Sequence, residues 1–143
     1  GGTSIEYIRQ FMKGKFPGAP KFAVLISDVK DIAKAHVACI GNNQVGGRRL
    51  IVGKEVKKLV ELSQLIAEAM PEYKKKLPKK ELTNFMVKLI SYIDSSAKTM
   101  IPDLGIMMQT DTSYAEEILG FKFKPAKGCI SENAKSVVRL GLV

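Results

Sequence analysis

Apolar positions recur along the chain at two spacings, and the alternation between them divides the sequence into helical and strand-like segments. Residues 3–13 carry Ile5, Ile8 and Met12 at helical spacing, with Thr3 and Glu6 placed as a capping box and Gly14 as the stop. Residues 15–21 are broken by Pro17, Gly18 and Pro20 and predict a loop. Residues 22–26 are a short apolar run of strand length. They lead into a helix with Asp28 at its N-cap and Asp31 in its first turn, where free amides and the macrodipole favour a carboxylate. Val29, Ile32, Ala33, His36, Val37 and Ile40 then share one helical face, and the pattern predicts that this face packs inward.

Residues 42–47 predict a turn, and residues 49–53 a second strand centred on Leu50, Ile51 and Val52. A helix over 56–70 uses Leu59, Leu62, Ile66 and Met70 as its stripe and meets Pro71 just past its end. After the lysines of 74–80, the clearest amphipathic helix of the chain is predicted by Leu82, Phe85, Met86, Leu89, Ile90, Ile93 and Ala97. Residues 104–109 predict a third strand. A brief helix opens at Asp111 or Thr112 and closes at Leu119 with Gly120 as C-cap, and a last helix over 131–140 stops at Gly141. The sum is an α/β chain, helix-rich with a few short strands, organised as a single region over 1–143. Three strands of this length make a small sheet, as expected of a piece that lacks most of one.

Composition changes this picture little. With 45% hydrophobic and 26% charged residues the chain is an ordinary globular sequence, and no apolar run approaches the ~20 residues that cross a bilayer. Gly1, Gly2, Thr3 and Ser4 lead straight into an amphipathic segment rather than a signal sequence, so a cytoplasmic location is expected. Cys39 and Cys129 have neither CxxC spacing nor a histidine partner, which fits reduced thiols and gives a metal site no support. The net charge of +9 raises a nucleic acid or an acidic partner, with residues 54–80 as the basic stretch. The excess is mostly lysine and there is no tryptophan, whereas base reading favours arginine and stacking favours aromatics, so a solvated lysine face is the favoured reading.

Ile26-Ser27-Asp28-Val29-Lys30-Asp31-Ile32-Ala33-Lys34-Ala35-His36-Val37 resembles the V-x-D-V-x-D-V-A-x-A-H segment of extended short-chain dehydrogenases, the NAD-dependent epimerase/dehydratase superfamily. Its dihydroflavonol-reductase-like carbonyl reductases look most similar. Further blocks follow in order: Gly46 to Val52 resembles G-x-R-Y-I-V, Asp111 to Ala115 with Leu119-Gly120-Phe121 resembles D-x-S-K-A-x-x-x-L-G-W, and Ser136 to Val143 resembles S-x-x-x-L-G-L-V. Tyr114 stands where the family usually has lysine, and Phe121 where it has tryptophan. The resemblance implies the C-terminal, substrate-side portion of a Rossmann-type enzyme that reduces an aldehyde or ketone. NADP or NAD would be bound by a missing N-terminal half and not by this chain alone. A nucleotide-sugar epimerase or dehydratase on the same scaffold is the neighbouring alternative.

The family's chemistry needs a glycine-rich turn after a strand and a Tyr-x-x-x-Lys pair, and neither is in the sequence. Tyr7 is followed at the required distance by Phe11, Tyr92 by Ser96 and Tyr114 by Ile118, while Tyr73 and Lys76 are one residue too close. The chain therefore offers no catalytic residue. His36 lacks a triad partner, and capping accounts for Asp28 and Asp31. On the substrate side, the resemblance places Thr3, Ser4 and Ile5 where the chain enters near the pocket, and Phe85, Met86, Met107 and Met108 as linings of a small apolar cavity. Core packing is the bland reading of those four and capping that of Thr3. Beyond the carbonyl substrate and the missing half, an exposed apolar surface could be an interface in its own right.

Overall fold

The computed structural model describes residues 3–92, 98 and 101–143, and the side chains of Thr3 and Ser4 lie outside the described residues. Helix α1 spans Thr3–Met12 and closes as the glycine stop requires. Glu6, expected in a capping box, instead binds Arg9 (2.9 Å) and Gln10 (2.8 Å) one turn on. Strand β1 is Ala23–Ile26, and α2, Val29–Cys39, starts at Asp28, whose Oδ1 accepts the Lys30 N–H at 2.8 Å.

The second strand is not where periodicity placed it. Strand β2 is Glu55–Lys58 and pairs antiparallel with β1, Ala23 opposite Lys58 and Ile26 opposite Glu55. Residues 49–53 run irregularly beside the end of β1: Ser27 Oγ donates to the Val52 carbonyl at 2.5 Å, and the ladder begins only when the Lys54 N–H reaches the Ile26 carbonyl at 3.1 Å. Gly53 sits so close to β1 that a Cβ there would meet Leu25 Cγ at 2.7 Å and Ser27 Oγ at 2.8 Å, so a larger residue would have to displace both side chains. Residues 104–109 are no strand either. The Gly105 N–H reaches the Lys21 carbonyl and the Ala23 N–H the Ile106 carbonyl, without a continuing ladder.

Helix α3, Leu59–Ala69, begins after β2 and not at residue 56. Its start is fixed by Glu61, which accepts the Lys58 N–H at 2.6 Å. Helix α4 is only Asn84–Ile90, capped by Thr83, and Ile93 and Ala97 lie outside the described residues. Helix α5 is Ser113–Leu119 with Asp111 accepting the Ser113 N–H at 2.9 Å and Gly120 closing it at φ 73°. Helix α6 runs Ala126–Arg139, five residues longer at its start than expected from 131, because Glu55 accepts the Ala126 N–H at 3.2 Å. The helix-rich α/β expectation holds, with the β1–β2 pair as sheet.

The core lies where α6 packs on α1 and α3 beside the β1–β2 pair. Ile8, Phe11, Met12, Phe22, Leu59, Leu62, Ile66 and Val137 are buried together there. A second cluster joins Ala35 of α2 to Ala115 and Leu119 of α5 and to Phe123, on which Phe121 packs edge-on at 5.5 Å. No helix among the described residues is long and apolar enough to cross a membrane.

Helix α2 presents the opposite face from the one expected. Asp31 and Ala35 are buried, while Val29, Val37 and Ile40 are 76%, 68% and 81% exposed and Ile32 is exposed beside them. Helix α4 does the same: Val87 is buried, and Phe85, Met86 and Leu89 point outward. His36 shares the exposed side of α2. Its Nδ1 lies 2.8 Å from the Ile32 carbonyl, which can only accept, so Nδ1 carries the proton.

Candidate functional site

The linker between α5 and α6 is held by carboxylates that sequence spacing does not connect. The Phe123 N–H donates to Glu116 at 2.9 Å, the Lys124 N–H to Asp31 at 2.6 Å, and the Ala126 N–H to Glu55. Buried Glu116 also takes Lys54 at 2.7 Å and Lys122 at 3.0 Å, and Lys124 bridges Asp28 and Glu132. Hydrogen bonds from Lys54, then from the Phe123 amide, bring the Glu116 carboxyl down to about 2. A carboxyl lowered on folding stabilises the folded state above its unfolded value near 4.3, and that contribution is lost as pH falls through about 2. Glu116→Gln is therefore expected to lower the thermal midpoint at pH 6, with the gap from the parent chain closing between about pH 4.5 and 2. A gap that stays constant across that window would contradict this role.

This linker sets α6 against α1, and between them, with β1 and the first turn of α2, opens a trough of about 920 Å3. Buried Ile8, Phe11, Leu59 and Leu62 form its floor, Ile5, Val29 and Ile32 its outer apolar wall, and Asp28, Lys30, Glu132, Lys135 and Arg139 its charged rim. Burial opposes the charge on Asp28, but hydrogen bonds from the Lys30 amide and Lys124 outweigh it and keep the carboxyl below its ordinary value. Burial pushes the Cys129 thiol up to about 11, so the thiol lining this wall is protonated and a poor nucleophile. Tyr7 also lines the trough, and burial followed by the charge of Asp103 raises its phenol.

The residues assigned to the substrate side fall in different places. Ile5 lines the trough, whereas Met107 and Met108 line a shallower hollow of about 410 Å3 with Ala23, Val56 and Lys58. Phe85 and Met86 line neither of these two hollows. Their helix starts beside the methionine segment, since a Cβ on Gly105 would stand 3.7 Å from Asn84 Nδ2. Thr3 and Ser4 open α1, their side chains outside the described residues. Sequence reasoning missed Tyr7, Asn133, Ser136 and Arg139 as trough residues. Their shared side of α1 and α6 is mixed in polarity and leaves no periodic signal. Among the described residues no cluster of three or more His, Cys, Asp or Glu could hold a metal. Among the described residues three of the eight lysines of the basic stretch are ion-paired, Lys54 with Glu116, Lys57 with Glu55 at 2.7 Å and Lys58 with Glu81 at 3.7 Å.

No protein-family model matches the chain, and no curated protein does. Its fold is that of one portion of a class of solved reductases, about two-fifths of the length of those chains. Gre2 from Candida albicans matches at TM-score 0.65 and 21% identity over 98% of this chain and 38% of its own. Yeast methylglyoxal/isovaleraldehyde reductase Gre2, solved with NADPH, matches at TM-score 0.67 and 22% identity over 95% of this chain and 40% of its own. The structure of gox2253 matches at TM-score 0.74 and 15% identity over 99% of this chain and 45% of its own.

Proposed function

We propose that this chain is the C-terminal, substrate-side portion of an NAD(P)-dependent reductase acting on an aldehyde or ketone. The observation that carries the reading is the apolar face of α2, turned outward and continuous through Val29 and Ile32 with the trough. A stripe with core periodicity that lies bare is the mark of a surface made to be covered. The reductases of like fold contain, beyond the matched portion, more than half of their own chains. We assign that cover to a dinucleotide-binding half supplying the glycine-rich turn and the Tyr-x-x-x-Lys pair.

The cofactor, when bound, supplies hydride to the carbonyl carbon. The trough residues do not fit a dinucleotide by themselves, because no glycine-rich turn presents amides to a pyrophosphate. NADP or NAD thus belongs to the other half, and two of the like structures, the yeast and Candida albicans enzymes, are NADPH complexes. This chain's work is to hold the substrate and exclude water. Ile5, Phe85, Met86, Met107 and Met108, with Thr3 and Ser4 at the head of α1, are the walls we assign to that task. The yeast methylglyoxal/isovaleraldehyde reductase of like fold favours carbonyl reduction over nucleotide-sugar epimerisation, and the scarcity of arginine and lack of tryptophan disfavour a nucleic-acid role. Two unpaired thiols support a cytoplasmic setting. Reading the natural coding sequence upstream of Gly1 tests the assignment. A glycine-rich turn followed by Tyr-x-x-x-Lys is expected, and an upstream sequence with neither would overturn it.

A further inference from the structure

His36, the single histidine of the chain, stands in the middle of the bare stripe of α2, one turn after Ile32 and one turn before Ile40. Its ring is oriented from within the helix, since Nδ1–H donates to the Ile32 carbonyl at 2.8 Å. That leaves Nε2 of the neutral ring as an acceptor, and among the described residues His36 has no second hydrogen-bond partner and no ion pair. The side chain is exposed, so water serves Nε2 while α2 is bare. A surface that covers the stripe displaces that water. An apolar side chain here would continue the stripe at no such cost, whereas a histidine makes covering conditional on a donor.

The extent of the stripe sets the size of the cover. It runs from Val29 and Ile32, which line the trough, to Val37 and Ile40, roughly 16 Å at 1.5 Å per residue, so the cover is a polypeptide and not a small molecule. The reductases of like fold carry more than half of their own chains beyond the matched portion, enough to supply it. What surrounds the ring narrows the donor. Its neighbours on the stripe are apolar, and a cation brought among them would be desolvated without a counter-charge. The elements packed on α2 meet its Ala35 side. Their ionisable groups are Tyr114, Glu116 and Glu117 of α5 and Arg48, Arg49 and Lys54 of the loop before β2, and none of them bonds His36. Lys122 and Lys124 of the linker are held by Glu116 and Asp28, and Lys30 pairs with Glu132 at 3.8 Å.

We propose that His36 makes docking on α2 depend on its protonation state: Nε2 of the neutral imidazole accepts a hydrogen bond from a hydroxyl or amide N–H of the dinucleotide-binding half, and the imidazolium is rejected. This rests on the reading of the chain as one portion of a two-part reductase. Protonation turns Nε2 from an acceptor into a donor, sets it against the partner's donor, and buries a charge among Val29, Ile32 and Ile40. Association is therefore full above the ordinary imidazole range, near pH 6.5, and is lost as pH falls through it.

Calorimetric titration of the chain with the polypeptide encoded immediately upstream of Gly1, at about pH 7.5 and about pH 5.5, tests this. A partner that accepts only the neutral ring loses roughly tenfold in affinity between the two conditions. His36→Gln places an amide near the position of Nε2 and does not titrate. It is expected to bind within about threefold of the parent chain at the higher pH and equally well at the lower. His36→Leu continues the stripe without an acceptor, so the partner's donor is left unpaired and binding at the higher pH is expected to be roughly tenfold weaker. Both free variants are expected to melt close to the parent, because position 36 is exposed. The role of His36 is overturned, with the two-part reading intact, if the parent binds equally at both pH values, if the Gln variant keeps the parent's pH dependence, or if the Leu variant binds as tightly as the parent. If the parent chain does not bind at the higher pH, the two-part reading fails and the proposal with it.

Discussion

Replacing Ile32 and Val37 together by aspartate is expected to leave this chain folded and to abolish its pairing with a dinucleotide-binding half. Both side chains are exposed on α2, so carboxylates there stay hydrated in the free chain, and exposed helix positions change stability by about 0.5 kcal/mol or less. In the assembly the same carboxylates would be desolvated against apolar surface without a partner. That penalty is several kcal/mol, enough to weaken association by about a thousandfold. Circular dichroism and a melting temperature close to the parent's, with no detectable heat of binding in a titration that saturates the parent chain, is the expected pair of results. Unchanged affinity would mean that α2 faces solvent in the working protein. An unfolded double variant would mean instead that the stripe packs inward, as its periodicity suggests.

The second large effect separates two helical phenylalanines of opposite burial. Phe11 is 1% exposed in the floor of the trough and meets Phe16 edge-on at 5.3 Å, while Phe85 on α4 is 75% exposed. Phe11→Ala removes a buried ring and leaves a cavity, a loss of about 3–5 kcal/mol from a total near 5–15 kcal/mol. Phe85→Ala is expected to shift stability by about 0.5 kcal/mol or less. Urea denaturation of the two variants reads this directly. Similar midpoints would contradict the burial of Phe11, and a large loss at Phe85 would contradict its exposure.

Local signals were legible in the sequence because their causes are local. The cap at Asp28, the left-handed stop at Gly120 and the loop at Pro17 to Pro20 each depend on a few neighbouring residues, and each is where it was expected. What periodicity cannot supply is the identity of the covering surface. The apolar residues of α2 and α4 do share faces, but among the described residues those faces are exposed, and Asp31 and Ala35 take the buried side of α2 instead. Pairing was misplaced for a similar reason. Residues 49–53 have strand composition, yet the register of β1 is taken by residues 55–58, where the side chains are mostly charged. The acidic clamp on the α5–α6 linker joins Asp31 to Lys124 and Glu55 to Ala126, separations of 93 and 71 residues that no local pattern reports. Of the substrate-side residues whose side chains are described, Ile5 alone falls in the trough, because the resemblance names segments and not the surfaces they share.

The most direct measurement of the central claim is NAD(P)H oxidation, followed at 340 nm with an aliphatic or aromatic aldehyde, by this chain alone and by this chain combined with the polypeptide encoded upstream of Gly1. The account expects no turnover above background from the chain alone and turnover from the combination. Carbonyl reduction by the isolated chain, or none by a combination shown to associate, would contradict it.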